Sequence, residues 1–306
     1  MRDMPDLSVV IVTYKSKEHL PRCLRSIYAA TQGISHEVII VDNGSRDDLV
    51  HYLRAEFPDV KMVENEKNEG FARGVNQGVS LASGRYLAIL NPDTQLCPET
   101  FRVLLSFLEK VPPDYVVGAH TVDEMGRTIP SCRSLPHVGN ILKYPLSLFL
   151  RGRRLRTPRR FLLDLWDQSK TIDMIEYDGY ITAACLVTRL NFFKQIGMFD
   201  ERYFLYSEDA DLGLRMAQGR HHAFLISDAV ITHFAGSSAD QNPLARLYFV
   251  EASLNYVNKH FGFFHRAIYK VCFFLIVLVW TLRAWLNQDQ IQVKNLLESL
   301  RRFKPT

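Results

Sequence analysis

No CxxC pair occurs in this chain of 306 residues, and its five cysteines, Cys23, Cys97, Cys132, Cys185 and Cys272, are odd in number and scattered. That spacing excludes a disulfide framework and a cysteine zinc site, and it suits reduced thiols in the cytosol. Long apolar runs are missing as well. The first run, Leu7 to Val12, is too short for the apolar region of a signal peptide. The uncharged run at 271–282 has twelve residues, whereas a spanning helix needs ~20. No strong charge of one sign is present. A formal net charge of +4 gives no reason to expect a nucleic-acid partner. Nor is there a glycine loop for phosphate. No GxGxxG follows the first apolar run and no GxxxxGK[ST] occurs, which argues against a dinucleotide-dependent oxidoreductase.

What is present is an ordinary globular composition, 47% hydrophobic and 23% charged. The length allows one large α/β core with additions. Residues 7–13 form a Val- and Ile-rich run expected of a strand buried on both faces. A helix is expected over about 17–30, a strand over 37–41 and a helix to about Glu56 with Ser45 as its N-cap. A strand near 60–63, a helix over 71–81 and a strand over 85–90 follow. This alternation predicts βαβ units and a mostly parallel sheet. Further strands are expected at 115–119 and 229–232, with a helix over 208–217 between them. Residues 130–170 show no clear period and read as a long excursion over the active site or toward a membrane.

Three apolar runs end in polar residues: Thr13-Tyr14, then Asp42-Asn43-Gly44-Ser45, then Asn91-Pro92-Asp93. Ligands of open α/β sheets bind beyond such strand ends. The plainer reading is turn formation, which these residue types favour for backbone reasons alone. Three such ends on neighbouring strands point to one crevice. Without glycine loops, a divalent cation is a natural way to neutralise a diphosphate there, and the Asp93 carboxylate suits Mg²⁺ or Mn²⁺.

The strings SVVIVTYKS (8–16), EVIIVDNGSRDD (37–48), NEGFARGVNQGVSLASGRYLAILNPDT (68–94) and GMFDERYFLYSEDADLGLRM (197–216), with His233 beyond them, resemble the inverting family 2 glycosyltransferases of GT-A fold. The resemblance covers about residues 7–235 and implies a role for each matching position. Thr13, Tyr14 and Asp42 would hold the nucleoside, and Asn68, Arg73, Asn76 and Asn91 would line the donor site. Asp93 and His233 would bind the metal. Asn91 replaces the first aspartate of the family's DxD-type motif, so Asp93 is its one carboxylate. Asp209 would be the general base, with Glu208 and Asp211 supporting it. For Asp211 a structural role is favoured, because Arg215 stands four residues on. Acids in a first helical turn also favour the helix dipole without any catalysis. Ala183-Ala184 departs from the family's usual Gly-Ala. Within the family the chain resembles bacterial rhamnosyltransferases that use a dTDP-sugar and extend polyprenyl-diphosphate-linked glycans. Another hexosyl- or galactofuranosyltransferase, or a non-catalytic scaffold with a decayed transferase domain, stays open.

The expected division is a transferase domain over 1–240, with a donor half to about 120 and an acceptor half after it, and a tail over 241–306. From Lys259 onward the tail has eight Lys or Arg against only Asp289 and Glu298. Six arginines lie within 151–160. Basic segments beside apolar ones suit an anionic membrane surface, so the expected place is peripheral, at the cytoplasmic face. The run at 271–282 suggests a steeply inserted or re-entrant segment, and 293–303 an interfacial helix. The alternative is a helical hairpin packed on the domain or on a second subunit.

Overall fold

The computed structural model describes residues 4–136, 172–173, 179–234, 245–286, 293–294 and 297. Strand β1 (Leu7–Thr13) is buried along its whole length. It lies parallel to β2 (His36–Asp42) and to β4 (Tyr86–Leu90), and β3 (Lys61–Glu64) extends the parallel set beyond β2. Side chains alternate across a strand. Leu7, Val9 and Ile11 therefore join the core shared with helix α1 (Leu20–Ala30). Val10 and Val12 join the core on the opposite face, under helix α3 (Phe71–Leu81). Helix α3 sits close to the sheet: a Cβ at Gly78 would stand 2.4 Å from a methyl of Val10, and one at Gly74 2.8 Å from Val12. Helix α2 (Leu49–Glu56) starts later than expected. Asp48 takes the N-cap position, because the Ser45 hydroxyl is bonded to Asp42 and accepts from the Lys15 amide.

The second half adds β5 (Thr94–Leu96), α4 (Thr100–Lys110), β6 (Tyr115–Val122), β7 (Cys132–Ser134), β8 (Ile172–Asp173), β9 (Gly179–Ile181), β10 (Cys185–Arg189), α5 (Leu190–Gln195), α6 (Glu208–Gly219) and β11 (His222–His233). The main sheet runs β3-β2-β1-β4-β10-β6-β11-β5, with β8 on β11. It is parallel through β3-β2-β1-β4 and mixed beyond. Strand β10 is antiparallel to both neighbours. It follows β9 after a short turn at 182–184. Strands β7 and β9 pair separately.

The tail begins with α7 (Ala245–His260) and α8 (Phe263–Leu286). Ala252 and Tyr256 of α7 pack with Leu135, Tyr180, Tyr203 and Ala210, so α7 shares a core with α6 and β9. The run at 271–282 is the middle of α8. Among the described residues no helix is long and apolar enough to cross a membrane. The arginines of 151–160 and most of 293–303 lie outside the described residues.

Candidate active site

The crevice lies at the carboxyl ends of β1, β2 and β3. A cleft of about 680 Å³ is lined by Tyr14, Lys15, Gly44, Ser45, Arg46, Asp47, Glu66, Lys67 and Asn68. That volume falls within the range of small-ligand sites. Thr13 is fully buried and its hydroxyl has no hydrogen-bond partner among the described residues. Tyr14 is 42% exposed. Asp42 is buried and accepts from the Ser45 hydroxyl and, at 3.1 Å, from the Ser45 amide. These bonds fix the loop that carries Arg46 into the cleft. Lys15 and Arg46 both have φ of 54°, in the left-handed region. The sequence patterns did not single out Lys15, Arg46 or Lys67. The only signal was their place just past strand ends, and basic residues in loops are common.

Asn68 accepts from the Gly70 amide at 2.9 Å and so shapes the entry to α3. Gly70 has φ of 89°, and a Cβ there would meet the Phe204 carbonyl at 2.5 Å. Arg73 pairs with Glu69 at 3.0 Å and reaches Glu201 at 4.0 Å. Asn76 is buried, donates to the Phe199 carbonyl at 2.8 Å and accepts from its amide at 3.2 Å. Its amide therefore ties α3 to the loop that leads into α6.

Asn91, Asp93 and His233 come together although 140 residues separate Asp93 from His233. The cause is the ladder between β5 and β11, which sets His233 opposite Thr94. The Phe234 amide donates to the Asp93 carbonyl at 2.9 Å and locks that register. His233 Nε2 stands 3.1 Å from Asp93 Oδ1 and 3.4 Å from Asn91 Nδ2. One carboxylate oxygen and one imidazole nitrogen this close can share a divalent cation. Among the described residues no group of three or more His, Cys, Asp or Glu is placed to hold a metal. A cation held by this pair would need further oxygen ligands.

Asp209 and Glu208 open helix α6, and the two residues before them, Tyr206 and Ser207, have φ of 72° and 66°. Two successive left-handed non-glycine residues cost roughly 1–2 kcal/mol each, a kind of strain that clusters at functional sites. Asp209 is partly buried. Burial raises its pKa, against the opposing pull of the Arg133 charge and of the Ala210 and Ala183 amides. Glu208 is buried, its Oε2 has no partner among the described residues, and burial and then the Asp209 charge push its pKa well above the ordinary value. The Ala183–Ala184 turn joins the two sides of the site. The Ala183 amide lies near enough to help lower the Asp209 pKa, while the Ala184 carbonyl accepts from the Asn91 amide at 3.2 Å. Asp211 belongs elsewhere. It is fully buried and meets Arg215 at 2.9 Å, Lys259 at 2.6 Å and His260 at 2.6 Å. These partners overcome the effect of its burial and hold its pKa down. Sequence reading missed Arg133, which sits on the three-residue strand β7 with no periodic pattern around it.

A parallel half joined to a mixed half, with a cleft at the strand ends and an acid pair at the start of α6, is a GT-A-like architecture. The chain belongs to glycosyl transferase family 2, whose model matches residues 8–172, and it is a glycosyltransferase. It is 26% identical to an N-acetylglucosaminyl-diphospho-decaprenol L-rhamnosyltransferase of Mycobacterium tuberculosis, over 97% of this chain and 96% of that protein. A dolichol-phosphate mannosyltransferase of Pyrococcus furiosus is 30% identical over 38% of this chain and 33% of its own length. Among solved structures, the mannosyltransferase PcManGT of Pyrobaculum calidifontis, in complex with GDP-Man and Mn²⁺, superposes with a TM-score of 0.56 at 15% identity. It covers 98% of this chain and 75% of its own. GalNAc-T7 with UDP, GalNAc and Mn²⁺ gives 0.54 at 15% identity, over 76% of this chain and 44% of its own. At such identity these two structures speak to the fold alone.

Proposed function

We propose that this glycosyltransferase moves L-rhamnose from dTDP-rhamnose to an acceptor hydroxyl on a polyprenyl-diphosphate-linked glycan. It would do so as a peripheral protein at the cytoplasmic face of the cell membrane. The rhamnosyltransferase similar over nearly all of both chains supports the choice of sugar and of lipid-linked acceptor. The observation that supports the chemistry is the meeting of Asn91, Asp93 and His233 at 3.1–3.4 Å, with the Asn91 amide bonded to the Ala184 carbonyl and the neighbouring Ala183 amide acting on Asp209.

The donor's nucleoside lies in the cleft against Tyr14 and Asn68, with Thr13 and Asp42 buried at the strand ends beside it. Lys15, Arg46 and Lys67 offer positive charge to phosphate. Arg73, Asn76 and Asn91 shape the donor side. Asp93 and His233 would hold a Mg²⁺ or Mn²⁺ ion, which would supply charge neutralisation to the diphosphate. Asp209 accepts the proton of the acceptor hydroxyl. That oxygen forms its bond to the anomeric carbon as the bond from that carbon to the diphosphate oxygen breaks. The electron pair leaves with the nucleoside diphosphate. One displacement inverts the anomeric centre. Glu208 stands buried beside Asp209 in the first turn of α6.

A thermal-shift panel of nucleotide sugars with and without Mn²⁺ tests the donor. The dTDP-sugar should give the largest shift, and only with metal. A larger shift with a UDP- or GDP-sugar would replace rhamnose by another hexose or by galactofuranose.

A further inference from the structure

Helix α8 presents one apolar face to solvent. Ten of its large apolar side chains are exposed, among them Phe264, Val271, Leu275, Leu278, Leu282 and Trp285. At 100° per residue all ten fall within an arc of roughly 140°, along a helix of about 36 Å. The opposite side holds the helix to the protein. Val277 is fully buried, and Tyr269 is buried and hydrogen-bonded to Ser253 of α7, its pKa pushed up by burial to about 12. Phe263–Leu286 contains no Asp or Glu, while Arg266 and Lys270 lie beside the apolar arc near its start.

We infer that α8 lies flat in the headgroup region of an anionic bilayer, its exposed arc buried among the upper acyl chains, and fixes the height of the active site above the membrane. An apolar face of this width, rimmed by cations, is the pattern of an in-plane helix. The alternative occupant is a second copy of the chain. Pairing two α8 faces would bring only like charges together at their rims, whichever way the helices run, because neither carries an acid. Anionic lipid headgroups complement the same rim. The helix before it, α7, is fixed to the enzyme. Lys259 and His260, at the end of α7, grip Asp211 of α6 two residues from Asp209, and Lys259 also holds Asp200 at 2.7 Å. Helix α8 thus continues from a helix that is joined to α6 through one buried cluster.

The inference shares with the proposed function a lipid-linked acceptor, and its test is read without any acceptor. Full-length protein is sedimented with phosphatidylcholine vesicles containing phosphatidylglycerol. Leu275→Glu and Leu282→Glu should each weaken binding by about tenfold or more. Arg266→Glu should weaken it on anionic vesicles and leave binding to neutral ones unchanged. Spin labels at Phe264→Cys and Leu282→Cys, with Cys97 and Cys272 replaced by serine, should report equal shallow depths. Unchanged vesicle binding by the leucine variants overturns the inference. So do unequal depths, which mean a steeply inserted helix, and so does a dimer that the same variants dissociate while vesicle binding persists. Nucleoside-diphosphate affinity with Mn²⁺ is measured alongside. Its absence in the unsubstituted chain counts against the proposed function and leaves the membrane result standing.

Discussion

At the scale of single residues, two adjacent acids at the start of α6 have opposite value to fold and to chemistry. Glu208 has a folded-state pKa well above its unfolded value. Its contribution to stability is therefore present below the ordinary carboxylate range and is lost as pH rises through the folded value. Glu208→Gln removes that dependence. It should raise Tm at neutral pH by roughly 2–4 °C and leave Tm near pH 4 unchanged. Thermal unfolding of both forms across pH checks this, and a variant less stable at neutral pH would speak against the sign. For Asp209 the raised pKa places the acid limb of the rate profile above the ordinary carboxylate position. Arg133 pulls the other way, so Arg133→Gln should move that limb to higher pH. A limb that stays put in the pH profile of kcat/KM would remove Arg133 from the electrostatics of the base.

Between elements, the coupling of α6 to α7 carries the stability of the acceptor half. Asp211→Ala would leave Arg215, Lys259 and His260 around an empty buried position. Breaking a buried ion pair of this kind costs ~3–5 kcal/mol. Denaturant unfolding should show a loss of that order, with donor affinity falling only as far as the folded fraction does. Truncation at Gly262 removes α8 and every tail Lys and Arg after Lys259. It should abolish vesicle binding and preserve nucleotide binding, because each donor-site residue lies before position 234 and α7 is retained. Activity on a short water-soluble acceptor should survive better than activity on a lipid-linked one. A truncated chain that loses nucleotide affinity would mean that α8 props the fold.

The elements also show what could be read from the sequence and what could not. Strands β1, β2 and β4 were legible because each is an apolar run that stops abruptly at a polar residue. Helix α3 was legible to the residue, since its apolar spacing is undisturbed from Phe71 to Leu81. The pairing of Asp93 with His233 rests on β5, a strand of three residues too short to show a period. The anchoring of Asp211 depends on Lys259 and His260, whose distance in sequence hides them. The expected N-cap at Ser45 failed because the same hydroxyl is used by Asp42. A cap rule that looks only forward along the helix does not see the carboxylate three residues back, at the end of β2.

For the whole molecule, the proposed reaction requires that the nucleotide sugar bound at the strand ends reach a hydroxyl deprotonated at the start of α6. Chelation should abolish turnover, and Mn²⁺ or Mg²⁺ should restore it. Asp93→Ala should weaken nucleoside-diphosphate binding mainly when metal is present. Equal weakening without metal, seen by calorimetry, would make Asp93 a direct nucleotide contact or a structural residue. The most direct test is turnover by Asp209→Asn, measured together with donor affinity. The substitution keeps size and hydrogen bonding and removes the base, so turnover should fall ~10²–10⁴-fold while donor affinity in the presence of Mn²⁺ stays unchanged. Near-normal turnover in that variant would contradict the mechanism at its centre.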